Sequence, residues 1–134
     1  MNFKLTKKRS AGFSLIELMI TVVIVGILGS IAFPSYINYV TEAKRSDGQV
    51  ALMSSAQNLE RCFTENNAYN HADCTFAATS PEGHYAITIA RTTTIFTLTA
   101  TPQASQTDPL CANLSLTNTG VQGKSGTGTV AQCW

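Results

Sequence analysis

From position 13 to position 40 the chain is apolar almost without interruption. No residue between Leu18 and Phe33 is charged. A run of this length can cross a bilayer as a helix, for which ~20 residues suffice. The pattern then changes: Leu52, Ala56, Leu59 and Phe63 recur at spacings of 4, 3 and 4, which marks one face of a helix. Glu42, Lys44, Arg45, Asp47, Glu60 and Arg61 are expected largely off that stripe. Residues 35–66 contain no proline and one glycine, Gly48. The helix is therefore expected to run on past Pro34, which kinks a helix without having to end it. Asn66-Asn67 reads as its stop. One long helix results, hydrophobic in its first half and amphipathic in its second. Gly26 and Gly29 lower helix propensity ahead of Pro34, so these three positions are where it is expected to kink or melt.

From His84 the period becomes two. Tyr85, Ile87 and Ile89 alternate with Ala86, Thr88 and Ala90; residues 95–99 are β-branched and aromatic; Leu110, Ala112, Leu114 and Leu116 alternate with Cys111, Asn113 and Ser115. These read as three antiparallel strands, joined by a short hairpin at 91–94 and a longer loop at 101–109. A glycine-rich turn at 120–128 precedes a last edge segment at 129–134. Thr and Ser are abundant across the sheet. The fold class is α+β, a long N-terminal helix whose amphipathic half packs on a small antiparallel sheet.

Charge changes the picture at two places. Lys4, Lys7, Lys8 and Arg9 precede the apolar run, and basic flanks stay cytoplasmic, so the remainder is expected on the far side of the membrane. Glu17 is the other place. A carboxylate in hydrocarbon costs at least ~2.5–3.5 kcal/mol on insertion scales, and the run holds no Lys or Arg to neutralise it. Its partner must come from another molecule or from an amine made by cutting the chain. No small-residue cleavage site follows the run, where a secretory signal would have one. The small-residue junction is Ser10-Ala11-Gly12, ahead of it. Cleavage after Gly12 would keep the helix and place a new α-amine on Phe13, four residues from Glu17.

The string GFSLIELMITVVIVGILGSIAFPSY resembles the N-terminal signature of type IV pilins, over about residues 7–45. Pseudopilins of type II secretion share that signature. The resemblance implies a leader peptide at 1–12, cleavage by prepilin peptidase between Gly12 and Phe13, and N-methylation of Phe13. It also implies neutralisation of Glu17 by the Phe13 amine of a neighbouring subunit during assembly. The chain then divides into the leader, a transmembrane or filament-core helix at 13–40, and a globular domain at 41–134.

Four cysteines in an exported domain of this size argue for two disulfides. Three pairings are possible. Cys62–Cys74 and Cys111–Cys133 are preferred because each closes a local loop, a constraint of order ~3 kcal/mol by chain entropy. A metal site is set aside, since no two cysteines lie close in sequence and His71 and His84 are the only histidines. With the two bridges, ERCFTENNAYNHADC, LCANLSLTNTGVQGKSGTG and the terminal CW resemble minor pilins of the PilE/ComP group. Removing the leader leaves five basic against eight acidic residues. A chain of that sign has no general attraction for nucleic acid, and beyond residue 62 only Arg91 and Lys124 are basic and available as DNA contacts.

Enzymatic readings fall away. Gly123-Lys124-Ser125 imitates the end of a phosphate-binding loop, but Asn118 stands where its first glycine belongs. Nothing in the spacing of Ser, His and Asp supports a catalytic triad, and no cofactor is implied. The expected protein is a structural subunit, a minor pilin, of a type IV pilus. Its partners are other pilin subunits, prepilin peptidase and the inner-membrane assembly machinery. It is expected in the inner membrane with its domain periplasmic, then on the extracellular pilus. The alternatives are a DNA-uptake receptor of the ComP type, with nucleic acid the less favoured partner, and a secretion pseudopilin.

Overall fold

The computed structural model describes residues 12–104 and 106–134; the basic leader, apart from Gly12, lies outside them. Helix α1 spans Leu15–Asn66 and continues through Pro34. The chain divides into two compact units, one ending at Ile37 and one running Asn38–Trp134.

In the first unit the described side chains are exposed, and the most apolar stretch of α1 is not buried within the chain at all. The second unit holds the sheet. Strands β1 (Tyr85–Arg91), β2 (Phe96–Pro102), β3 (Leu114–Thr117) and β4 (Gln122–Lys124) form an antiparallel meander in that order. Tyr85 and Ile87, Phe96, Leu98 and Ala100, and Leu114 and Leu116 point inward and are buried with Ala51, Leu52 and Leu59 of α1. Their neighbours in sequence face outward, the alternation expected of a sheet with one solvated face. The helix ends at Asn66; Asn67 follows in the left-handed region at φ 52° and donates its N–H to Phe63 O at 2.7 Å, closing the last turn.

The glycine of the amphipathic half has a steric reason. A Cβ at Gly48 would lie 2.9 Å from the Tyr85 ring, so its absence lets that ring lie against the helix backbone.

Three expectations need correction. The third strand begins at Leu114 rather than Leu110, because Ala112 has φ 49° and its N–H bonds to Asp108 O at 2.7 Å. That turn cannot continue a strand. The glycine-rich segment contains β4, and residues Val130–Cys133 form a short helix, α2, in place of an edge strand. Thr129 and Gln132 stand at capping-box spacing, and Gln132 Oε1 accepts the Thr129 N–H at 2.9 Å. Lastly, Arg45 and Asp47, expected off the apolar stripe, are buried in the second unit.

Candidate functional site

Two places carry unusual polar chemistry. The first is the start of α1. Ser14 Oγ accepts the Glu17 N–H at 3.2 Å, and Ser14 O accepts the Leu18 N–H at 3.2 Å. Ser14 is thus the N-cap, and Glu17 lies in the first turn, where the exposed N–H groups of the helix favour a negative charge. Thr21 and Ser30 turn their hydroxyls back onto the carbonyls of Leu18 and Ile27, at 2.8 and 2.7 Å. This turns their donors away from the exposed apolar surface. Glu17 is left as the outward polar group of the stretch, and among the described residues no cation forms an ion pair with it. Phe13 is exposed beside it. Gly26 and Gly29 are helical, and an added Cβ at either would meet nothing within 4 Å.

The second is a row on α1 spaced four residues apart: Thr41, Arg45 and Gln49. Arg45 Nε and Nη2 grip the two carboxylate oxygens of Asp108 at 2.8 and 3.1 Å, and Nη1 donates to Gln132 O at 3.0 Å. The side chains are 8% and 1% exposed, so this is a buried bidentate pair. Hydrogen bonding to Asp108 raises the guanidinium pKa. Gln49 Nε2 donates to Cys133 O at 2.8 Å. Gln106 Nε2 donates to Tyr85 Oη at 3.2 Å and to Thr41 O at 3.4 Å. Burial pushes the Tyr85 phenol pKa up. Two residues after Arg45, the Asp47 carboxylate accepts the Ser80 hydroxyl and the N–H groups of Glu82 and His84. The helix therefore holds the loop before β1 with one side chain, and the C-terminal third with two side chains and one backbone carbonyl.

Disulfides join Cys62 to Cys74 and Cys111 to Cys133, with S–S 2.06 Å in each. The first ties the end of α1 to the following loop, where Tyr69 stacks on Phe63 at 4.4 Å and meets Phe96 edge-on at 4.9 Å. Its hydroxyl donates to the Glu60 carboxylate at 2.9 Å. Burial, then that hydrogen bond, pushes its pKa up to about 12. The second joins the loop before β3 to α2.

The two cations considered as DNA contacts have other work. Arg91 Nη1 donates to Tyr69 O and Cys74 O at 2.9 and 2.6 Å, holding the bridged loop. Lys124 Nζ donates to Gly126 O. Both residues are half-buried. Sequence reasoning missed Arg45, Asp47, Asp108 and Tyr69; the partners of Arg45 and Asp47 lie 33 to 87 positions away, and no local pattern marks such pairs.

Known proteins resemble this chain. Residues 34–115 match the family described as type IV minor pilin ComP, DNA uptake sequence receptor, and residues 7–33 match the prokaryotic N-terminal methylation motif. The type IV major pilin protein PilA of Myxococcus xanthus is 39% identical over 62 residues, covering 46% of this chain and 28% of that protein. The type IV major fimbrial protein FimA of Dichelobacter nodosus is 39% identical over 69 residues, 52% of this chain and 39% of that one. The chain thus spans well under half the length of these curated relatives. Among solved structures, a type IV pilin from Shewanella oneidensis is 36% identical with a TM-score of 0.52, covering 61% of this chain and 89% of that one. The Neisseria meningitidis non-core minor pilin PilV shares the fold at 20% identity and a TM-score of 0.56, over 68% of this chain and 92% of that one. The two family matches together run from residue 7 to residue 115, and the chain belongs to the type IV pilins, in the minor-pilin family of ComP.

Proposed function

We propose that this pilin is cut by prepilin peptidase between Gly12 and Phe13, is N-methylated on Phe13, and enters a filament when its Glu17 meets the Phe13 amine of a neighbouring subunit. The observation that carries the reading is Glu17 itself, held by the Ser14 cap at the head of an exposed apolar helix. In an apolar medium an isolated carboxylate is costly, whereas one paired with an amine is attractive. Before assembly residues 13–40 anchor the chain in the inner membrane, with 41–134 in the periplasm. In the fibre the apolar helix halves bundle and the sheet domain faces outward. Mass spectrometry of sheared pili should find this chain starting at N-methylated Phe13; an intact Met1 start overturns the reading.

The family match favours a second reading, DNA uptake. Most non-specific DNA affinity comes from phosphate contacts made by free cations. Arg45 is buried against Asp108, Arg91 binds two carbonyls and Lys124 a third. Weak, easily salted-out binding is expected. A fluorescence titration with duplex DNA at physiological salt tests it, and sub-micromolar binding lost in Lys124→Ala would make the receptor the better reading. A deletion strain scored for pili, transformation and secretion separates both from the pseudopilin.

A further inference from the structure

The ends of the exposed apolar stretch of α1 differ in chemistry from its middle. At one end stands Glu17, whose N–H is held by Ser14 Oγ. At the other stands Tyr36, 65% exposed, with Phe33 a turn earlier at 69%. Between them, from Leu18 to Ser35, no side chain is charged. The hydroxyls of Thr21 and Ser30 within that stretch bond to carbonyls of their own helix. An aromatic ring with a polar tip is the side chain that settles where hydrocarbon meets headgroups. Tyr39, three positions on in the second unit, repeats the residue and is also exposed.

The spacing of the two ends decides what they face. Tyr36 follows Glu17 by nineteen residues, and at ~1.5 Å per residue the helix carries them about 28 Å apart. The hydrocarbon layer of a bilayer is ~30 Å thick. A helix lying across it therefore reaches both headgroup layers at once, with the carboxylate in one and the phenol in the other. Neither end moves inward without cost. A slide toward the domain's side draws Glu17 into hydrocarbon, and the opposite slide draws in the Tyr36 hydroxyl.

We infer that Glu17 and Tyr36 are stops that fix the depth of the membrane-held subunit, by contact with the phospholipid headgroups of opposite leaflets. This rests on the membrane-anchor reading and gives it a register, with the bilayer midplane at Gly26-Ile27. It also gives Glu17 a task before assembly. In the headgroup layer the carboxylate keeps its water, so the anchored subunit needs no partner for it. The Gly12–Phe13 bond lies a further four residues out in sequence. It is then outside hydrocarbon on the side of the basic leader, where water for its hydrolysis is at hand. Only when the helix leaves the bilayer for a dry fibre does the same carboxylate require an amine. Exit from the membrane is thus selective for a site that supplies one.

The test uses the full chain in vesicles of phosphatidylethanolamine and phosphatidylglycerol. All four native cysteines are bridged, so single cysteines placed in turn along residues 18–35 can carry a nitroxide label. The contrast between oxygen and a water-soluble nickel chelate as relaxers then reports the depth of each label. The parent series should be deepest at Gly26-Ile27. Glu17→Val should shift that maximum about two residues toward the N-terminus, and Tyr36→Leu with Tyr39→Leu about two toward the C-terminus, roughly 3 Å each way. All three positions are exposed, so circular dichroism should show an unchanged domain. A maximum that stays in place in either variant overturns the inference and leaves the anchor reading intact, because apolar length alone would then set the depth. A series with no buried maximum means that the helix does not cross the bilayer, which sinks the anchor reading and this inference with it.

Discussion

The two halves of α1 use polar side chains in opposite ways. In the first half one carboxylate stands outward with no ion-pair partner among the described residues, while the other polar groups are folded back onto the helix. In the second half Arg45, Asp47 and Gln49 turn inward and are consumed within their own domain. A polar group left unsatisfied by its own chain is an instruction about another molecule; one fully satisfied internally is an instruction about the fold. The contrast predicts that substitutions in the first half change assembly without changing domain stability, and the reverse for the second.

Glu17→Val should give the largest effect and the sharpest cut. Incorporation into pili is expected to be nearly abolished, while the thermal midpoint of the domain, followed by circular dichroism in detergent, stays at the parental value. Pili that take up the variant as well as the parent would break the comparison at its first half. Arg45→Ala strands Asp108 in the interior, and breaking a buried pair costs ~3–5 kcal/mol. Urea unfolding should show that loss, and Arg45→Met with Asp108→Leu should recover much of it. A loss under about 1 kcal/mol, the range of an exposed pair, would mean that the clasp is not what holds the domain.

A smaller effect is expected from Gly48→Ala. Its methyl group meets the Tyr85 ring at 2.9 Å, and overpacking of this kind costs ~1–3 kcal/mol, readable in the same unfolding experiment. The smallest concerns Tyr69 and appears only in alkali. Its folded pKa of about 12 lies above the ordinary ~10 of a tyrosine, so folding favours the un-ionised phenol. That contribution is complete below pH ~10 and is lost as pH rises through about 12. Thermal melts between pH 8 and 12 should show Tyr69→Phe losing part of the alkaline decline, with the share due to buried Tyr85 remaining.

What the sequence made legible follows the same division. The apolar run, the helix stop at Asn66-Asn67 and the alternation from Tyr85 are local patterns, and each appears where the residues put it. Glu17 could be singled out because its surroundings in sequence are its surroundings in space. Arg45 and Asp47 could not, because a charge beside an apolar stripe reads as solvated until Asp108 and Ser80 are brought to it by the fold. Ala112 defeated the strand reading for a related reason. Its left-handed conformation is imposed by the bond to Asp108 O, and alanine carries no local signal for that. Helix α2 differs: Thr129 and Gln132 stand at capping-box spacing, but the β-like Thr-Val context led to the reading of an edge segment.

The spacing of Thr41, Arg45 and Gln49 has a mechanical consequence. Each stands one turn from the next, and each grips a different point of the chain from Gln106 to Cys133. If a filament is pulled along its axis, the helix transmits force parallel to that row, so the grips are loaded together in shear. Peeling would break them singly; shear requires them to yield at once. The bridge between Cys111 and Cys133 limits what a yield could release, because its 22-residue loop stays closed whatever the row does. The row therefore works as a latch with a stop, soft to a sideways tug and stiff to an axial one.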